Sequence, residues 1–182
     1  MNDKSRSDLF ERVVLPHLDD AYSLARWLTG DAADAEDIVQ DACVRALGAV
    51  EKTQVSQPRA WLLAIVRNAA MNWLTKNRPR HLVLVDDFSA TEANPPAALR
   101  DGRDPETILI AAAEEEQLSQ AIAALPPLFR ETLVMRDVNG LSYREIAAVS
   151  GVPIGTVMSR LARARDALAT KLVGASRPRG AA

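Results

Sequence analysis

The chain has 182 residues, 48% of them hydrophobic but only 4% aromatic, a mixture that favours small, closely packed helices over a β-sandwich. A single cysteine, Cys43, excludes an internal disulfide, and a polar start with no apolar run of about 18–20 residues argues against a signal peptide or membrane insertion. A cytoplasmic protein is expected, and its net charge of −2 alone speaks against a generic nucleic-acid binder.

The charge is nevertheless unevenly spread. Residues 1–50 hold five basic and ten acidic side chains, 51–81 six and one, 82–126 two and nine, and 127–182 nine and four. Two basic blocks therefore alternate with two acidic ones, and a polyanion would meet the basic blocks separately.

Helical periodicity dominates. Leu18, Tyr22, Ala25 and Leu28 fall near one face of a helix that Gly30 closes. A second helix follows the candidate caps Asp31 and Asp34, with Ile38, Val39, Ala42, Ala46 and Leu47 as its buried stripe. After a polar stretch from Glu51 to Gln57, Pro58 opens a third helix where its missing N–H costs nothing. That helix is predicted to reach about Asn77, with Trp61, Leu62, Ile65, Ala69 and Trp73 on its apolar side. Both tryptophans read as core residues before they read as stacking platforms. These helices make one bundle over residues 9–77.

Residues 78–110 hold four prolines, scattered aspartates and little periodicity, the pattern of a flexible acidic linker. A second domain over 111–173 starts with a helix from Glu114 to Ala124, broken at Leu125-Pro126-Pro127, and continues with one from Leu128 to about Val138. Asn139-Gly140 is a turn, and a disordered tail is expected over 174–182. The fold class is all-α: two small helical domains, an N-terminal bundle and a C-terminal four-helix domain, joined by the linker.

Ser142-Tyr143-Arg144-Glu145 has the form of a capping box, followed by the apolar Ile146, Ala147 and Val149 of a short helix. Gly151 suits a tight turn, and Pro153 stands where the next helix begins. In that helix Val157, Leu161, Ala164 and Leu168 share a narrow inward arc, while Thr156, Ser159, Arg160 and Arg163 face outward, flanked by Met158, Ala162 and Arg165. Small hydroxyls suit base edges and arginines suit phosphates, so the unit reads as a DNA-binding helix-turn-helix. The motif gives DNA binding without giving the role.

Two further blocks narrow it. The run from Leu125-Pro126 through Gly140-Leu141-Ser142-Tyr143-Arg144-Glu145-Ile146-Ala147 to Gly155-Thr156-Val157-Met158-Ser159-Arg160-Leu161 resembles region four of bacterial sigma-70-type factors. Asp34-Ala35-Glu36-Asp37-Ile38-Val39-Gln40-Asp41, followed by Pro58-Arg59-Ala60-Trp61-Leu62, resembles region two. The lack of room for regions one and three points to the extracytoplasmic-function (ECF) group. The resemblance implies that Glu36, Asp37, Gln40 and Asp41 dock on core RNA polymerase (β′ and β subunits). It implies a −10 promoter element read by the third helix and the preceding loop, with Lys52, Arg59, Arg67, Asn68, Asn72 and Lys76 as contacts and Arg78 and Arg80 as further phosphate grips. It implies a −35 element met by Arg144, Thr156, Met158, Ser159, Arg160, Ala162 and Arg163. Many relatives carry a basic residue where this chain has Met158. An anti-sigma factor is a further implied partner, and no cofactor or metal is implied.

The competing reading is a stand-alone helix-turn-helix regulator, which leaves the acidic helix and the Trp61 block unexplained. An enzyme is rejected: His17 and His81 lie apart without a nucleophile or ligand cluster, and Cys43 sits beside a buried stripe.

Overall fold

A computed structural model of the chain describes residues 3–77 and 115–175. The first part holds α1 (Asp3–Val14), a 3₁₀ turn (Leu15–His17), α2 (Leu18–Thr29), α3 (Ala32–Ala49) and α4 (Pro58–Asn77). The second holds α5 (115–123), α6 (Pro127–Leu133), a π turn (Val134–Val138), α7 (Tyr143–Ser150) and α8 (Ile154–Ala175). Among the described residues there is no strand. The expected linker at 78–110 and the tail beyond Ala175 lie outside the described residues; Gly174 and Ala175, expected in that tail, are still helical.

Helices α2, α3 and α4 pack on one another, with α1 against α3 and α4. In α2 the buried stripe is Ala21, Leu24, Ala25 and Leu28, a spacing of three and four residues. Tyr22, expected inside, is exposed, because the true stripe is rotated by one residue around the helix. Gly30 ends α2 with φ 79°, a conformation that a side chain would strain. Asp31, not Asp34, caps α3: its carboxylate accepts from the backbone N–H of Ala33 at 2.8 Å and of Asp34 at 3.1 Å. α3 then buries Ala35, Ile38, Ala42 and Ala46, with Val39 and Leu47 half-buried at the edge. In α4 the buried residues are Ala60, Leu62, Leu63, Val66, Ala69, Ala70 and Leu74. Trp61, Ile65 and Trp73 are half-buried against that core, the place expected for both tryptophans.

In the second part α8 packs on both α6 and α7, and α7 also meets the π turn. The capping box is formed: the Glu145 N–H donates to Ser142 Oγ at 3.2 Å, and the Ser142 N–H donates to Glu145 Oε2 at 2.7 Å. Gly151 follows α7 with φ 67°, which lets the chain turn sharply into α8. Ile146, Val149, Val157, Leu161 and Ala164 close the small core beneath the turn.

The two parts touch. α4 packs on α7 and α2 on α6, so buried residues of both contribute to one continuous apolar cluster. Buried Arg130 of α6 seals the junction. It donates to the carbonyls of Leu28 at 3.2 Å and Trp27 at 3.3 Å at the end of α2, and to those of Leu125 (2.9 Å) and Ala123 in its own part. Carbonyls in the last turn of a helix lack helical partners, and a guanidinium supplies several donors at once.

Candidate nucleic-acid and polymerase interfaces

Three surfaces carry the residues singled out by sequence. On α3, Glu36, Asp37, Gln40 and Asp41 are all exposed, opposite the buried Ala35, Ile38, Ala42 and Ala46. Asp41 pairs with Arg45 one turn on, at 2.9 Å and largely in solvent, where such a pair contributes little. Val44 belongs to this face and is 71% exposed. Sequence reasoning passed over it, although its spacing of four from Gln40 places it outside the buried stripe.

On α4, Asn68, Asn72 and Lys76 recur every four residues and are all exposed, forming one polar stripe. Lys52 is exposed in the turn after α3. Arg59 and Arg67 are placed differently. Arg59 is half-buried, donating to Asp20 through Nε at 2.7 Å and Nη2 at 3.0 Å, and to the carbonyl of Asn139. Arg67 donates to Glu131 through Nε at 2.7 Å and Nη2 at 3.1 Å, its side chain 17% exposed. Both arginines thus reach into the second part of the chain instead of joining the exposed stripe.

On α8, Met158, Ser159, Ala162 and Arg163 are exposed and Thr156 is half-buried at the helix start; Arg144 is exposed on α7. The Ser159 hydroxyl donates to the Thr156 carbonyl at 3.0 Å. Met158 is 54% exposed and Ile154, one turn earlier, is 42% exposed, so the leading end of this helix shows solvent an apolar pair. Arg160 turns inward and donates to Glu131 at 3.4 Å. Arg165 is held by Asp137 at 2.8 Å.

Glu131 is the centre of the charged network. It is fully buried, and burial drives its carboxyl above the usual carboxylate range against the opposing pull of Arg67 and Arg160. Asp20 is held below its usual value, first by the Arg59 hydrogen bond and then by that of Asn139, which outweigh its partial burial. Glu145 is lowered by its hydrogen bonds to Ser142. Burial raises the Cys43 thiol, which suits an inert packed cysteine. Among the described residues no group of three or more His, Cys, Asp or Glu is placed to hold a metal, and no helix is long and apolar enough to cross a membrane.

A helix-turn-helix follows an acidic helix and an amide-lined helix on this chain, and comparison with known proteins finds the same pair of units. Residues 13–80 match the family model of sigma-70 region 2, and residues 115–168 match that of sigma-70 region 4. The E. coli ECF RNA polymerase sigma-E factor is 32% identical over 143 residues, 78% of this chain and 75% of that protein. The chain belongs to the ECF group of the sigma-70 family.

The ECF RNA polymerase sigma factor SigE of Mycolicibacterium smegmatis is 34% identical over 167 residues; the match spans 91% of this chain but only 62% of that longer protein. Among solved structures, the sigma factor RpoE in complex with the anti-sigma factor NepR from Bartonella quintana superposes with a TM-score of 0.67 at 27% identity. It covers 92% of this chain and 98% of that one. Membership in this family makes the chain a transcription initiation factor and not an enzyme. The stand-alone regulator is not favoured, because it has no use for a region 2.

Proposed function

We propose that this ECF sigma factor binds core RNA polymerase through the exposed α3 face and directs it to promoters in the cytoplasm. It reads the −10 element with α4 and the −35 element with α8. The observation that carries the reading is the pair of separate exposed surfaces, the Asn68–Asn72–Lys76 stripe and the outer side of α8, each backed by its own buried helix face.

The acidic residues of α3 supply register and steering toward a basic partner on the polymerase β′ subunit, with β as a second contact, and exposed Val44 adds an apolar anchor in their midst. Asn68 and Asn72 present amides that can hydrogen-bond the edges of unstacked bases, and Lys52 and Lys76 add phosphate contacts. On α8, Ser159, Ala162 and Arg163 approach base edges with Met158, while Arg144 and Thr156 hold the backbone. An anti-sigma factor is a further partner, a reading supported by the similar sigma factor seen in complex with NepR.

Run-off transcription with purified core polymerase on a library of promoter fragments, followed by mapping of start sites, tests the reading. Transcripts with a shared upstream element that require this chain are expected. Tight operator binding by the free protein, with no transcript added to core polymerase, would establish the stand-alone regulator instead.

A further inference from the structure

The outer side of α8 carries two parallel rows of exposed residues, each with the four-residue spacing that lines side chains up along a helix. One row is Ile154, Met158 and Ala162, wholly apolar; the other is Gly155, Ser159 and Arg163, which brings a hydroxyl and a guanidinium. We propose that the apolar row is a thymine reader: Met158, backed by Ile154, receives the 5-methyl group of one thymine in the major groove of the upstream element. The proposal rests on the function assigned above to α8 and adds the base that the leading end of this helix selects.

Neither large residue belongs to the core. Ile154 is 42% and Met158 54% exposed, while Val157 and Leu161 on the inner side are buried and hold α8 in place. Gly155 points to a partner outside the chain. A Cβ built there would meet no atom within 4 Å, and its φ is not in the left-handed region. Glycine weakens a helix relative to alanine, and neither space nor backbone within this chain calls for one. A bare backbone at that place lets a partner's surface come close, within reach of Met158 three residues on.

Groove chemistry says what that surface presents. Thymine alone among the bases shows a methyl group in the major groove; the others offer hydrogen-bond donors and acceptors. Against an apolar row those polar edges lose water and gain no hydrogen bond, so thymine is favoured over them. The unbranched thioether of methionine adapts to the position of the methyl group. Residues near the start of a recognition helix are the ones that meet base edges, and Ile154 and Met158 lie in its first two turns. Exposed Arg144 on α7 adds charge that keeps the unit on phosphate.

In the test, the full chain selects duplexes from a random-sequence pool, once with core polymerase and once by itself. The preferred element is then rebuilt with deoxyuridine at each thymine in turn, which removes only the methyl group. Fluorescence anisotropy at fixed salt gives the affinities of wild type, Met158→Ala and Leu118→Ala, the last a change at an exposed apolar residue of α5. For wild type, one thymine should be favoured over deoxyuridine about threefold to fivefold, the effect of burying one methyl group. For Met158→Ala that ratio should fall to about one, because the two truncations remove the same contact, and for Leu118→Ala it should stay as in wild type. Should Met158→Ala lose its helical circular dichroism, Ile154→Ala, which should weaken the same preference, decides in its place. No thymine sensitive to deoxyuridine in wild type, full sensitivity kept by Met158→Ala, or equal loss in Leu118→Ala each overturns the proposal. A row reserved for a protein partner gives the first of these results. Methyl sensitivity in the chain by itself, with no transcript from core polymerase, would sink the proposed function and leave the thymine reader standing; transcription from a methyl-blind element does the reverse.

Discussion

Cys43 shows how position governs chemistry at the level of one side chain. It is half-buried beside the α3 stripe, and burial raises its thiol above the usual value. The nucleophile is the thiolate, so alkylation should be slow in the folded protein. With iodoacetamide at mildly alkaline pH the folded chain should react about tenfold more slowly than the chain in denaturant, as followed by mass spectrometry. Equal rates would show that this part of α3 opens readily. The inert thiol and the packed tryptophans were legible in the sequence because each lies on its helix's apolar side. Tyr22 was not, since Leu18-Tyr22-Ala25-Leu28 and Ala21-Leu24-Ala25-Leu28 are both acceptable helical spacings and only packing chooses between them.

At the scale of single elements, local chemistry sets the boundaries well. Pro58 starts α4, Gly30 ends α2, and the Ser142–Glu145 box starts α7, all as read from residue type. Ser142→Ala should cost about 1 kcal/mol in urea denaturation, the usual worth of such a cap. A loss of zero would mean that tertiary packing alone holds α7. Within α8 the inward arc was legible to Ala164, but the inward turn of Arg160 was not, because its partner Glu131 lies 29 residues away. Exposed Met158 gives α8 an apolar end. Met158→Lys should add one phosphate contact and steepen the dependence of log affinity on log salt by about 0.9, measured on duplex DNA. A slope equal to wild type would mean that position 158 does not approach the backbone.

At the scale of the whole molecule, the two-part plan was legible from the alternating charge blocks and the two motif sets, whereas the contact between the parts was not. Arg67 and Glu131, which pair across the parts, are 64 residues apart, Asp20 and Arg59 within the first part are 39 apart, and no local pattern marks either pair. Each pair depends on a carboxylate, which makes pH the natural probe of such long-range ties. Asp20 is held below its ordinary value of 3.8, chiefly by Arg59. A carboxyl depressed in the folded state contributes stability that is complete above its unfolded value and is lost as pH falls through its folded value. Glu131 acts in the opposite sense, since burial raises it, but it is present in both proteins when wild type is compared with Asp20→Asn. The stability gap between these two should therefore hold constant from neutral pH down to the ordinary aspartate range and shrink below it. Asp20 is partly solvated and screened, so the gap itself should be modest, about 1 kcal/mol or less. Urea titrations across the acid range measure it directly. A gap that keeps its neutral value after Asp20 has been protonated would mean that its ionised pair with Arg59 does not stabilise the packing of α2 on α4.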